Sequence, residues 1–187
     1  AIVIDDFGSD RKGVNEMMSV ERHITFAVMP FMPNSRSDAK TAYEKGYEII
    51  VHLPMEPYKG KLSWLGPRPI LASMQKEEIE KLVIDAFEDV PNASGANNHM
   101  GSKVTDSYEV MSAVLGVIKD KNLFFVDSMT GKKTVASDIA QKLGVPCYRR
   151  DVFLDGQQPK SFILNRLKLA GEIAIKKGSA LAIGHVG

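Results

Sequence analysis

The sequence predicts an α/β fold built on a parallel sheet, in the form of a distorted seven-stranded (β/α) barrel. Three observations lead there. Seven short apolar runs alternate with helical patterns along the 187 residues, the order of a crossover-connected parallel sheet. Several runs are apolar on both faces, as strands covered on both sides must be. Acids and imidazoles collect at the downstream ends of these runs, which gather on the ligand-binding rim of such a sheet. Seven is one short of a closed eight-stranded barrel, hence the distortion; an open doubly wound sheet is the alternative.

The strand candidates are residues 1–6, 23–29, 47–52, 93–99, 123–127, 147–154 and 180–185. Ser35-Arg36-Ser37-Asp38 precedes a polar helix that ends at Gly46, where a terminal glycine is expected. Ser73 can cap a helix over 74–88 with Ile79, Leu82, Val83 and Phe87 on one stripe and Glu77 placed four residues before Lys81. Thr105-Asp106 opens a helix reaching Lys121, Thr134 or Ser137 opens one ending at Leu143-Gly144, and Pro159 or Ser161 opens the last, through Lys177-Gly178. Right-handed crossovers place all of them outside the sheet. Residues 54–71, with their prolines, glycines, Tyr58 and Trp64, are too long and irregular for a turn and predict a flap over the rim.

A chain of 187 residues is expected to form one domain, residues 1–187. Its net charge of +1 gives no reason to expect nucleic acid or an anionic membrane as partner. The single Cys147 excludes an internal disulfide and a cysteine-only metal site, and reads as a small buried residue. No apolar run approaches the ~20 residues of a membrane span.

Asp5-Asp6-Phe7-Gly8 is the strongest local signal. Neighbouring strand residues point to opposite faces, but a bend at the strand end, eased by Gly8, lets one carboxylate bind a cation and the other accept a proton. The alternative is that one caps the next segment while the other is solvated. His52 alone reads more readily as structural. His99, at the end of the next strand ~4.8 Å away, changes that balance, because two imidazoles can share a cation at ~2.0–2.1 Å. Glu56 reads better as an exposed loop acid than as a further ligand, since Pro54 and Pro57 forbid the helix that would align it with His52. Asn97 and Asn98 can fix the His99 tautomer or bind a polar substrate; a turn cluster is the other reading. Asp127, Arg149, Arg150, Asp151 and Asp155 add rim charges. An arginine can hold a catalytic carboxylate ionised, and an aspartate can orient a histidine, although a salt bridge accounts equally well for any one of them. His185 is placed to protonate a leaving group. His23 begins a strand and falls on the opposite rim, with no role.

IDDFG, HLPMEP, NNHMGS, FFVDS, RRDVFLD and AIGHVG, in that order over the whole chain, resemble the divergent polysaccharide deacetylases. The resemblance implies a distorted (β/α) barrel, a divalent cation, zinc first, and an acetylated poly- or oligosaccharide substrate. It also implies a secreted, periplasmic or cell-envelope location. It assigns Asp5 as general base, Asp6 as metal ligand and His185 as general acid. The superfamily's second motif carries two histidines four apart, but here Glu56 follows His52, so the implied ligand set becomes Asp6, His52 and His99. The arginine that tethers the base has no clean counterpart; Arg150 or Arg149 is the candidate, with Asp127 or Asp155 orienting His185. Two other functions compete: an inactive barrel that holds glycan or protein, and a metal-free glycosidase using Asp5 and Asp155.

Overall fold

A computed structural model describes residues 1–10, 12–157 and 159–187. Among them, eight parallel strands form one sheet: β1 (Ile2–Phe7), β2 (Thr25–Val28), β3 (Glu48–Met55), β4 (Gly95–Met100), β5 (Phe124–Asp127), β6 (Cys147–Arg149), β7 (Val152–Phe153) and β8 (Ala182–His185). Their lateral order is β6-β5-β4-β3-β2-β1-β8-β7. The crossovers carry helices α1 (Val14–Met17), α2 (Ser35–Glu44), α3 (Lys76–Asp89), α4 (Tyr108–Asp120), α5 (Ala136–Leu143) and α6 (Lys160–Lys177).

The expected parallel α/β sheet is present, but the strand count is eight, not seven. The run 147–154 divides at Arg150-Asp151. The Arg150 N–H donates to the Asp127 carbonyl at 3.0 Å, and the next N–H, of Asp151, donates to the Leu181 carbonyl at 2.8 Å. Within two residues the backbone leaves one edge of the sheet and joins the other. The sheet is therefore curled, with its first and last strands in lateral order consecutive in the chain.

Alternation along the strands separates two apolar layers. Val3, Ala27, Ile50, Val126 and Ile183 form a cluster made of strand residues alone, on the concave side. The intervening positions carry Phe26, Ile49, Leu53 and Phe125, which pack against Ile79, Val83, Met111 and Val114 of α3 and α4. On the concave side, the residue two positions beyond Val3 is Asp5, beyond Ile50 is His52 and beyond Ile183 is His185. The polar layer thus lies directly on the small apolar one.

Local chemistry moves several helix starts. Gln75 and Glu78 form a reciprocal capping box at α3, which starts there and not at Ser73. Ser107 accepts from the Val110 N–H and caps α4, while the Thr105 hydroxyl donates to the Gly101 carbonyl at 2.9 Å and shapes the preceding turn. Ser35–Asp38 form the first turn of α2 behind Asn34. α6 packs Leu167, Ala170 and Ile173 against Val152 and Leu154.

β1 carries a bulge: Ile4 pairs with Phe26 and Phe7 with Val28, so three steps on β1 match two on β2. The extra residue lies at Asp5-Asp6, where Asp6 has φ 73°. Gly8 follows with φ 100°, and a Cβ there would stand 2.7 Å from the Met29 carbonyl oxygen. Gly8→Ala is expected to destabilise the fold by about 1–3 kcal/mol, combining backbone strain with that clash; a urea midpoint equal to wild type would contradict this account of the bend.

Candidate metal centre

The bulge explains how adjacent aspartates serve one site. In a regular strand one would face the helices; the left-handed conformation at Asp6, which aspartate tolerates better than most residues, turns its carboxylate back to the concave side. Asp6 Oδ1 is then 3.5 Å from His52 Nε2 and 3.3 Å from His99 Nδ1. His52 Nε2 and His99 Nδ1 are 3.0 Å apart. His99 is placed by β4, in register with Pro54 of β3, while Asn97 lies beside His52. Asp6, His52 and His99 are the group among the described residues whose atoms can hold a metal ion together.

The surrounding hydrogen bonds decide which atoms face that ion. Asn97 Nδ2 donates to Asp5 Oδ1 at 2.8 Å, so its amide oxygen faces His52 Nδ1, 2.7 Å away. That nitrogen must carry the imidazole proton. The Trp64 carbonyl, an acceptor only, is 3.2 Å from His99 Nε2 and fixes the other ring the same way. Both remaining nitrogens then turn lone pairs toward the Asp6 carboxylate, an arrangement suited to a cation between them. A four-coordinate ion with ligands at ~2.0–2.1 Å holds those ligands about 3.3–3.4 Å apart, and the three observed separations bracket that value. The donor set, two imidazoles and a carboxylate, suits zinc or a related divalent ion.

Electrostatics point the same way. Burial opposes the charge on Asp6, but the hydrogen bonds and charges of His52 and His99 hold its carboxyl far below the ordinary range. Burial also works against a His52 imidazolium, yet Asp5 and Asp6 raise its pKa overall. Without a metal, the cluster retains a proton instead.

Around the centre, the candidate residues separate into those that meet and those that do not. Asp5 is buried and in register with His185 on β8. Burial raises its pKa, against the opposing charge of His52 and the Asn97 hydrogen bond. His185 Nδ1 is 3.1 Å from Asp155 Oδ1, and its backbone N–H donates to Asp155 Oδ2 at 2.7 Å. Of the two aspartates considered for orienting His185, Asp155 is thus the one in contact. Asp127 instead accepts from the Met129 N–H at 2.9 Å and the Thr134 hydroxyl at 2.8 Å, anchoring the loop after β5. Arg150 donates from Nε to the Ser128 carbonyl and from Nη2 to the Met129 carbonyl, at 2.7 and 3.1 Å. Arg149 Nε approaches Met129 Sδ. The polar contact on Asp5 from β4 is Asn97, not either arginine. Glu56, expected in solvent, is half-buried and accepts from Lys103 Nζ at 2.7 Å and the Ala72 N–H at 2.8 Å, pinning the long loop.

Asn97 is the functional residue that sequence reasoning placed least well. The sequence offers it as support for His99, as a contact for a polar substrate or as part of a turn, whereas it joins Asp5 to His52. The available signal was its position two residues before His99 on the same strand, which gives both the same face.

A cavity of about 440 Å³ opens beside the centre, with Asp5, His52, His99, His185, Arg150 and Phe153 on its walls. The expected flap contributes the Trp64 carbonyl at His99, a short 3-10 turn (Leu62–Trp64) and a bridge between Met55 and Ile70.

Comparison with known proteins identifies the family and the fold. Residues 2–187 match the model of a family described as divergent polysaccharide deacetylase. The chain is 38% identical over 185 residues to the uncharacterized protein YibQ of Escherichia coli strain K12, and 36% identical over 186 residues to an uncharacterized protein of Haemophilus influenzae. Each alignment covers 99% of this chain but only 57% and 65% of those proteins. The crystal structure of the uncharacterized protein ATU2773 from Agrobacterium tumefaciens C58 superposes with a TM-score of 0.93 at 22% identity, covering 99% of this chain and 76% of that one. At that identity the likeness establishes the fold.

Asp6→Asn, which keeps the side-chain shape and the tolerance for positive φ, is expected to fold normally and lose equimolar divalent metal. Full metal occupancy in the purified variant would refute Asp6 as a ligand. Metal binding should also release a proton and weaken as pH falls below the raised pKa of His52, since protons and metal compete for the same lone pair. Calorimetry in buffers of different ionisation enthalpy measures that proton; identical heats would contradict it.

Proposed function

The chain belongs to the divergent polysaccharide deacetylase family, and from that premise we propose that it is a metal-dependent hydrolase removing acetyl groups from an N- or O-acetylated glycan. The observation that carries this reading is the Asp6–His52–His99 cluster facing Asp5 and a His185–Asp155 pair across one cavity. A divalent metal held by Asp6, His52 and His99 would supply Lewis acidity toward an acyl carbonyl and would lower the pKa of water toward ~7.

The chain's own residues supply the proton transfers. Asp5 is the general base: burial raises its pKa, which strengthens it as a proton acceptor, and Asn97 fixes its orientation. His185 is the general acid for the departing amine or alcohol. Its Nδ1 is turned to Asp155, leaving Nε2 for the leaving group. Arg150 lies beneath Phe153, its guanidinium 4.9 Å from the ring centroid, and the ring meets His185 edge-on at 5.3 Å. Together they wall the acid's side of the cavity. Trp64 and Tyr58, both exposed on the long loop, offer faces on which sugar rings can stack.

A cell-envelope or secreted location fits a glycan substrate and belongs to the same proposal. No helix among the described residues is long and apolar enough to cross a membrane.

Metal-loaded protein incubated with acetylated chitooligosaccharide or peptidoglycan fragments is expected to release acetate, with loss on chelation and recovery on adding zinc. Glycan binding without acetate release would instead favour the inactive binding module. His185→Ala should keep equimolar metal while turnover drops about 10²–10⁴-fold; an unaffected rate removes its acid role.

The pH dependence has a definite sign. Burial disfavours the His185 imidazolium, but the Asp155 hydrogen bond and the charges of Asp5 and Asp6 outweigh it, so its pKa is raised above 6.5. The acid form therefore persists below that raised pKa and is lost as pH rises through it. Asp155→Asn is expected to shift the alkaline limb of the rate profile to lower pH, and an unmoved limb would separate Asp155 from the acid.

A further inference from the structure

The geometry points to a cleft that selects glycans bearing a carboxylate, with Arg150 as the residue that reads it; this deepens the deacetylase reading and rests on it. Arg150 is half-buried in the cavity wall. Two consecutive carbonyls, of Ser128 and Met129, hold its Nε and Nη2, and the Phe153 ring lies against its face. Its Nη1 donors have no partner among the described residues, and no carboxylate there forms an ion pair with it. The contact that would occupy such an arginine, the Asp5 carboxylate, is made by Asn97. What remains is a rigid guanidinium fork beside the reaction centre, suited to bidentate capture of a planar anion.

The neighbouring charges repeat the preference. Lys59 lines the same cavity, and an adjoining one of about 360 Å³, which shares Ser102, is lined by Lys132 and Lys133. None of these lysines is ion-paired among the described residues. The acid in that second cavity, Asp106, already accepts from the Tyr58 hydroxyl at 2.9 Å. A chain with a net charge of only +1 thus gathers cations along the path leading away from the metal centre. The complementary ligand is an acetylated sugar chain with a carboxylate close to the acetyl group and further negative charge along it. A ring uronate and an ether-linked lactyl group present the same chemistry.

The test compares oligosaccharides of equal length with the metal-loaded protein: N-acetylglucosamine alone, N-acetylglucosamine alternating with glucuronate, and N-acetylglucosamine alternating with N-acetylmuramic acid. Binding is read by calorimetry on the His185→Ala variant, so that it does not depend on turnover. At least one acidic oligosaccharide is expected to bind about tenfold or more tightly than the neutral one. The advantage should vanish on methyl esterification of its carboxylates, shrink with added salt, and fall in Arg150→Gln but less in Arg150→Lys. Which acidic arm wins identifies the carboxylate source. Equal affinity for neutral and acidic chains, or a preference that survives esterification, overturns the proposal; the ester arm needs no arginine variant, so misfolding of Arg150→Gln cannot obscure it. Acetate release from neutral chains without any acidic preference would defeat this inference and leave the hydrolase standing. An acidic preference without acetate release from any chain would do the reverse.

Discussion

Asn97 on β4 and Asp5 on β1 are separated by two intervening strands, and in a flat sheet they would lie about 14 Å apart, three spacings of ~4.8 Å. They are hydrogen-bonded at 2.8 Å. Everything the cleft can do depends on the curvature that closes this gap. Apolar layers line both faces of the bend: Val3, Ala27, Ile50, Val126 and Ile183 on the concave side, and Phe26, Phe125, Leu53 and Met55 on the convex side. Burying one such side chain contributes about 1.5–3 kcal/mol, whereas a hydrogen bond contributes about 1. The apolar layers therefore contribute more to holding the bend than any one polar contact within it.

Within that layer the strain is local and has a purpose. Asp6 adopts a left-handed backbone that costs about 1–2 kcal/mol for an L-residue. In return, two consecutive carboxylates reach one space with different neighbours. Asp6 meets two imidazoles, while Asp5 meets an amide and lies across from His185. Their acidities move apart accordingly, Asp6 downward and Asp5 upward. Two identical side chains thereby acquire opposite acidities, which suits the proposed metal ligand and proton acceptor.

Much of this was legible in the residues, and what was not has physical causes. The parallel α/β order followed from alternation and apolar runs, and the gathering of Asp5, Asp6, His52, His99 and His185 at one rim followed from their positions at strand ends. The run 147–154 reads as a single strand because no glycine or proline separates Cys147-Tyr148 from Val152-Phe153-Leu154 across the charged Arg149-Arg150-Asp151. Only tertiary pairing, with β5 on one side and β8 on the other, reveals the division at Arg150-Asp151. Asn97 falls within the expected strand 93–99, and β4 extends through Met100, but alternation alone does not reveal that its amide bridges Asp5 and His52. The resemblance offers Arg150 or Arg149 as the tether of the base, whereas the loop carbonyls of Ser128 and Met129 hold Arg150. Spacing reveals which face a residue occupies, but not which of several acceptors on that face is nearest.

One consequence concerns assembly. β1 lies between β2 and β8, so Ile2 pairs with Ala182 and Asp5 with His185 across nearly the full chain. During synthesis, β1 emerges well before β8 and has one flank open until β8 is made, and contacts so distant in sequence form slowly. A nascent chain can bring together the metal-binding trio once β4 is out, yet it lacks the histidine and aspartate of the opposite wall. The three candidate ligands can thus meet before His185 and Asp155 join them, and the proposed chemistry waits for β8.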